Sequence, residues 1–235
     1  MSAHLDIALL LAAGAARRMG QPKQALGWRG APLLVRAVET ARRAGLWPVV
    51  VLGAHRAQVE PLLDTEVERV IHPGWAEGMG SSLRAGLEAT LRRHQPERVT
   101  IMVCDQPLIT DAELRRLVAS CQGFDAAAAA YEGVLGTPAC FARSSFEALL
   151  RLAPGQGARR LLRGGALRVA AVPMASAAID LDTPEDVRMA RAMDDRCDAI
   201  EKDPTDMGAS LQPGGAPQPN LADLASASRP LRSDP

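Results

Sequence analysis

From Leu9 to Lys23 the chain reads Leu-Leu-Leu-Ala-Ala-Gly-Ala-Ala-Arg-Arg-Met-Gly-Gln-Pro-Lys. An apolar, strand-like run opens here into a loop of small residues that carries a guanidinium and an ammonium at fixed offsets. This is the composition of a phosphate site. Gly14 and Gly20 let the backbone approach a ligand, and the N–H groups of the intervening loop act as anion donors. Arg18 and Lys23 bring the positive charge that a triphosphate requires. An ordinary strand-to-helix turn with solvated basic residues is the plainer alternative. A further candidate is Asp105, directly after the apolar run Val99 to Cys104. A carboxylate at a strand end can hold Mg²⁺, a hard cation that takes one or two carboxylates together with phosphate oxygens. Alternatively, Asp105 simply starts a turn before Pro107.

Two other nucleotide signatures are excluded by pattern. The chain has no G-x-x-x-x-G-K-[ST], and Gly78-Met79-Gly80-Ser81-Ser82-Leu83 places a leucine where the dinucleotide fingerprint needs a small residue.

These residues can meet only if the intervening chain folds them onto one rim. Apolar runs that read as buried parallel strands recur at Ile7 to Leu11, Pro48 to Leu52, Val67 to Ile71 and Val99 to Cys104. Segments of helical period separate them: Pro32 to Ala44, and Ser81 to Arg93 with Leu83, Leu87 and Leu91 on one face. Thr110-Asp111-Ala112-Glu113 has the form of a capping box. Further strands are expected at Asp125 to Tyr131, Pro138 to Phe141 and Leu167 to Val172, with short helices at Ser144 to Leu152 and Gly157 to Arg163. Thr183-Pro184-Glu185-Asp186 begins a last helix, with a capping threonine and proline at its first position. The alternation predicts an α/β layered fold. In such an open parallel sheet, ligands bind outside the carboxyl ends of the strands, where the loops after Leu11, Ile71 and Cys104 all lie.

With 235 residues, 47% of them hydrophobic, the chain can bury a sizeable core in one domain with some excess. Twenty-seven basic residues balance 27 acidic ones, which argues against a nucleic-acid surface or a polybasic membrane patch. Cys104, Cys121, Cys140 and Cys197 have no C-x-x-C pairing and no adjacent histidine, so reduced thiols are expected. No secretory signal pattern and no membrane-length apolar run is present, so a cytoplasmic protein is expected. The reading divides the chain into a domain over 5–195 and a disordered tail over 196–235, rich in Pro, Gly, Ala, Ser and Asp.

The spacing L-A-A-G-x-x-x-R-x-G-x-x-K, from Leu11 to Lys23, resembles the signature of the MobA-like nucleotidyltransferases. The resemblance continues in Asp105-Gln106-Pro107, in Asp180-Leu181-Asp182-Thr183-Pro184-Glu185-Asp186, and in His72-Pro73-Gly74-Trp75 followed by Gly78-Met79-Gly80-Ser81-Ser82-Leu83. It implies a Rossmann-like three-layer α/β/α nucleotidyltransferase fold with a mostly parallel central sheet. It further implies a nucleotide site built from Leu11, Ala12, Ala13, Gly14, Arg18, Lys23, Gly78, Ser81, Ser82 and Asp105. Arg18, Lys23 and Asp105 are its catalytic group. Mg²⁺ is expected on Asp105 with Asp182 as the second ligand and Asp180 as the fallback. Ser81 and Ser82 would hydrogen-bond a ribose or base edge, or cap the helix that follows.

Gly136-Thr137-Pro138-Ala139-Cys140-Phe141 and Gly155-Gln156-Gly157-Ala158-Arg159 resemble the family's acceptor segments, with Thr137 and Gln156 in place of His and Asp. Over residues 5 to 195 the resemblance is strongest to molybdenum cofactor cytidylyltransferases. Ala12-Ala13-Gly14 favours that branch, because guanylyl members usually carry Gly-Gly there. The implied reaction is transfer of CMP from CTP to a molybdopterin-type cofactor with release of pyrophosphate, and a target molybdoenzyme is an implied partner. Guanylyl transfer from GTP, a sugar-1-phosphate acceptor, and a non-catalytic cofactor-delivery module are the alternatives.

Overall fold

A computed structural model of the chain describes residues 5–15 and 19–191. Arg18 and the expected tail over 196–235 therefore lie outside the described residues. Strand β1 (Asp6–Ala12) is followed by a small hairpin of β2 (Gly27–Trp28) and β3 (Ala31–Pro32), then helix α1 (Leu33–Arg43). The chain continues through β4 (Trp47–Leu52), α2 (Arg56–Val59), β5 (Glu68–Ile71), α3 (Met79–Arg93), β6 (Arg98–Val103) and α4 (Asp111–Ser120). The second half adds β7 (Ala126–Tyr131), β8 (Val134–Ala142), α5 (Phe146–Leu150), α6 (Arg159–Arg163) and β9 (Val169–Pro173). A helical segment over 184–191 ends the described chain.

Seven strands form one sheet in the order β5-β4-β1-β6-β8-β7-β9. β1 pairs in parallel with both β4 and β6, so the strand that leads into the Gly14 loop sits at the sheet's interior. Alternation along the strands divides the core into two layers. Ala8, Leu10, Val50 and Leu52 face one side with α1 and α4, while Ile7, Leu9, Val49 and Val51 face the other with α3, α5 and α6. Both faces of β1 are thus covered, which is why its sequence is continuously apolar from Ile7 to Ala12. The expected α/β/α sandwich is the observed one.

Two features of the second half were not expected. β8 runs antiparallel to both β6 and β7, and it spans Val134–Ala142 rather than Pro138 to Phe141 alone. The cause is the two-residue turn Glu132-Gly133, where both residues have positive φ, the geometry that folds a strand back on its neighbour. The β2–β3 hairpin turns in the same way at Arg29 and Gly30. It buries Trp28 in a third cluster with Met19, Leu33, Leu181, Val187 and Ala190. That cluster fastens the 184–191 helix beside the N-terminal loop.

The capping reading holds at both expected positions. The Glu113 N–H donates to Thr110 Oγ1 at 3.2 Å, and the Glu113 carboxylate accepts from the Thr110 N–H at 2.9 Å. Asp186 N–H donates to Thr183 Oγ1 at 3.2 Å, while the Asp186 carboxylate accepts from the N–H groups of Asp182 and Thr183. Cys104, Cys121 and Cys140 are buried free thiols. Among the described residues, no helix is long and apolar enough to cross a membrane.

Candidate active site

At the carboxyl ends of β1 and β6 lies an open cavity of about 500 Å³, lined by Leu11, Ala13, Gly14, Ala15, Lys23, Gln24, Trp75, Ala76, Gly78, Met79, Ser82, Val103, Cys104 and Asp105. Three separate stretches of sequence therefore converge there. Lys23 Nζ donates to Asp105 Oδ2 at 3.1 Å and also to Asp182 Oδ1. The segment that carries Asp182 is set by its backbone, since Leu181 N–H donates to the Asp105 carbonyl at 2.9 Å. Asp105 itself is held by its neighbour Gln106, a buried amide whose Nε2 donates to the carbonyls of Thr137 and Ala177.

The charges respond to this packing. Burial works against the Lys23 ammonium, but hydrogen bonds and charge from Asp182 and Asp105 outweigh it and raise its pKa above the ordinary lysine value. Asp180, two residues before Asp182, is pushed up to about 6, by loss of solvation first and then by the negative charge of Asp105. Burial, reinforced by Asp105, pushes the Cys104 thiol up, so this cavity-lining cysteine remains a thiol and is a poor nucleophile.

The residues fit a divalent cation shared with a ligand. Asp105 Oδ1 is buried with no hydrogen-bond partner, and a positive group already stands between Asp105 and Asp182. No group of three or more His, Cys, Asp or Glu side chains able to hold a metal is present among the described residues. Two carboxylates that leave other positions to water and phosphate suit Mg²⁺, which rarely sits in an all-protein cage.

The segment leaving β1 is clamped along both edges. Gln24 Nε2 donates to Ala12 O at 2.8 Å and to Gly14 O at 3.2 Å. On the other edge, Ala54 N–H donates to Ala13 O at 3.0 Å and His55 Nε2 to Ala15 O at 2.9 Å. Gly53 makes that approach possible, because a Cβ there would lie 2.7 Å from Ala13 O and from Trp75 Cβ. Trp75 lines the cavity as the resemblance of its 72–83 segment implied, whereas Gln24, Gly53 and His55 are positions the sequence did not assign to the site. Gln24 adjoins Lys23, so adjacency was its only signal. His55 had none.

The expected nucleotide residues divide into two groups. Leu11, Ala13, Gly14, Lys23, Gly78, Ser82 and Asp105 line the cavity, whereas Ala12 contributes its carbonyl to Gln24. Ser81 is turned inward at 2% exposure; its hydroxyl contacts His72 Nε2 at 3.0 Å and donates to Gly78 O at 2.8 Å. His72 thus positions the start of α3. The close approach at Gly78 and Gly80 is made by the protein itself. Gly80 N–H donates to Pro154 O at 2.7 Å, and a Cβ at Gly80 would lie 2.3 Å from Ala153 O. The 153–157 loop is seated on α3 in this way.

That loop leads into a second open cavity of about 610 Å³, lined by Gln156, Gly157, Arg159, Arg160, Leu161, Arg163, Gly164 and Ala166. Arg159 Nη2 donates to Tyr131 Oη at 3.1 Å, over Gly136. Met79, which lines the first cavity, is the neighbour that a Cβ on Gly157 would meet.

Known proteins share this arrangement of sequence and fold. The chain is 36% identical to nicotine blue oxidoreductase of Paenarthrobacter nicotinovorans over 129 residues, which are 54% of this chain and 62% of that protein. It is 30% identical to purine catabolism protein PucB of Bacillus subtilis over 198 residues, 79% of this chain and 95% of that protein. A molybdenum cofactor guanylyltransferase of Xanthomonas euvesicatoria is 33% identical over 48% of this chain and 54% of its own. Among solved structures, Rv0371c of Mycobacterium tuberculosis superposes with a TM-score of 0.69 at 28% identity, covering 80% of this chain and 98% of that one. Its complex with manganese covers 79% and 97%, with a TM-score of 0.66 at 25% identity. Residues 8–172 match the model of the MobA-like NTP transferase domain, a match that reaches from within β1 to within β9 and includes Lys23 and Asp105: the chain belongs to this family.

Proposed function

We propose that the chain transfers CMP from CTP to a phosphate of a molybdopterin-type cofactor and releases pyrophosphate. The observation that carries this reading is the meeting of Lys23 with Asp105 and Asp182 beside a nucleotide-sized cavity at the strand ends. Asp105 and Asp182 would hold Mg²⁺, which when bound withdraws charge from the phosphates of the nucleotide. The manganese complex of Rv0371c supports a divalent cation on this framework.

The chain's own residues then align and neutralise like-charged reactants. Lys23 donates to phosphate oxygens, and the segment held by Gln24 and His55 presents the backbone to them. Ser82 and Gly78, which also line the cavity, would meet the nucleoside. The attacking phosphate is already anionic and needs no protein nucleophile, in keeping with the protonated Cys104 thiol. Arg159, Arg160 and Arg163 of the second cavity suit an anionic acceptor. Delivery of the product to a molybdoenzyme would follow from the same cavity.

The preference for CTP rests on Ala13, whose methyl is buried against the Gly53 backbone beside the cavity. GTP is the alternative nucleotide, supported by the likeness to a guanylyltransferase, and a sugar 1-phosphate is the alternative acceptor. One observation favours an electron-transfer reading, the 36% identity to a protein named an oxidoreductase.

The deciding assay measures pyrophosphate from purified protein with Mg²⁺, molybdopterin and CTP, GTP, ATP or UTP in turn. The expected result is release with CTP above the others. GTP used at least as well as CTP rejects the cytidylyl assignment, and turnover only with sugar phosphates rejects the pterin acceptor. No release with any nucleotide rejects nucleotidyl transfer and leaves the delivery and oxidoreductase readings.

A further inference from the structure

Resting on the nucleotidyl-transfer reading, we propose that Lys23 is the resident counter-cation of the Asp105–Asp182 pair. Its ammonium holds the place that a divalent cation must take, so cation and ammonium exclude one another. Loading the metal then releases Lys23 toward the triphosphate.

The geometry supports exchange in place of coexistence. Lys23 Nζ donates to one oxygen of each carboxylate. The pair does not depend on Lys23 for its closeness, because the Leu181 N–H to Asp105 O bond joins the two segments through the backbone. A divalent cation seated between the two carboxylates would therefore meet the ammonium there at ion-pair distance. Asp105 Oδ1, buried and without a partner, remains for a ligand that brings more than one coordination position.

The backbone beneath Lys23 is equally fixed. Lys23 opens a single 3₁₀ turn, Lys23–Ala25, and the next side chain, Gln24, is anchored to Ala12 O and Gly14 O. Only the flexible four-carbon stem is left to move, and it carries the ammonium between carboxylates and cavity. Lys23 lines that cavity together with Gly14 and Ala15, so the released head stays within the nucleotide site.

The consequence is reciprocal coupling. A bound triphosphate accepts the displaced ammonium and raises metal affinity, and by linkage the metal raises nucleotide affinity by the same factor. Free divalent cation alone is a weak ligand of this protein, because it must first displace an internal ion pair.

Mn²⁺ serves as the probe, titrated calorimetrically and by the EPR signal of the free ion. Wild type and Lys23→Met are compared with and without a CTP analogue that cannot be cleaved between the α and β phosphates. Without nucleotide, Lys23→Met is expected to bind Mn²⁺ about tenfold more tightly than wild type, since a neighbouring positive charge has been removed. The analogue should tighten Mn²⁺ binding in wild type by about tenfold and much less in the variant. In EDTA, Lys23→Met should melt below wild type, and Mn²⁺ should raise its Tm by the larger amount.

Equal or weaker Mn²⁺ binding in a Lys23→Met protein of unchanged circular dichroism overturns the proposal. If that variant does not fold, the wild type decides alone: Mn²⁺ binding as tight without the analogue as with it overturns the exchange. Absence of Mn²⁺ binding even with nucleotide overturns the nucleotidyl-transfer reading and the exchange together, whereas the two preceding outcomes leave that reading intact.

Discussion

Lys23 and Asp105 stand 82 residues apart in sequence, and their side chains meet at 3.1 Å. The parallel pairing of β1 with β6 brings them together, since Leu11 and Val103 are register partners at the same end of neighbouring strands. The loop after each strand therefore rises from the same rim. Asp182, 159 residues from Lys23, is added to them by the cluster of Trp28, Leu181 and Val187 rather than by a strand end.

Replacing Asp105 with Asn removes a charge at nearly constant volume. Turnover measured as pyrophosphate release should fall by at least about a thousandfold, because a contact to the reacting charge is lost. Circular dichroism should be unchanged. Asp182→Asn should behave alike; if only Asp180→Asn is inactive, the role belongs to Asp180.

Gln24→Leu leaves the carbonyls of Ala12 and Gly14 without their side-chain donor. The buried Ala12 acceptor stripped of its donor costs about 1–3 kcal/mol, so the melting temperature should drop. On the proposed function KM for the nucleotide should rise, because the loop edge that lines the cavity is released; an unchanged KM would show that the clamp serves only stability.

Gly80→Ala and Gly155→Ala should differ sharply. A Cβ at Gly80 would lie 2.3 Å from Ala153 O and 2.5 Å from Gln156 O, while one at Gly155 meets nothing within 4 Å. The first substitution should cost about 2–3 kcal/mol by forcing the 153–157 loop off α3. The second should stay within about 0.5 kcal/mol of wild type. Urea titrations of both variants make the comparison.

Glu68 accepts from His94 Nε2 at 2.7 Å and Arg93 Nη1 at 2.5 Å, on the edge strand β5. Burial works against its charge, but these donors outweigh it and hold the carboxyl below its ordinary value of 4.5. A depressed native value contributes stability above the unfolded value, and this is lost as pH falls through the native one. Glu68→Gln should therefore lower the Tm at pH 7, and its gap from wild type should close as pH falls below about 4. A gap independent of pH would point to packing.

Ala13→Gly tests the base preference. Discrimination carried by one methyl is worth roughly 1–3 kcal/mol, so the ratio of kcat/KM for CTP over GTP should narrow or reverse. The methyl is buried against Gly53 and Trp75. A loss of activity with both nucleotides at a constant ratio would mean that the methyl supports the loop without selecting the base.

The local code was legible in the chain itself. Strand β1, the helix α3 and the caps at Thr110 and Thr183 follow from apolar runs, three- and four-residue spacing and capping side chains, all of which act between near neighbours. Asp105 could be singled out because a charged residue just beyond an apolar strand lies at a sheet rim whatever the strand order, and Lys23 because it follows the glycine-containing loop at a fixed offset. The direction of β8 was not legible, since an apolar strand pattern is the same in either direction and the two-residue turn at Glu132-Gly133 decided it. Nor was the inward turn of Ser81, which two adjacent serines on a helix cannot specify and which contact with His72 settled. The clamp of His55 on Ala15, the seat of Pro154 on Gly80 and the placement of Lys23 between two aspartates arise between distant segments. Such contacts depend on strand order and packing depth, so tertiary structure alone decided them.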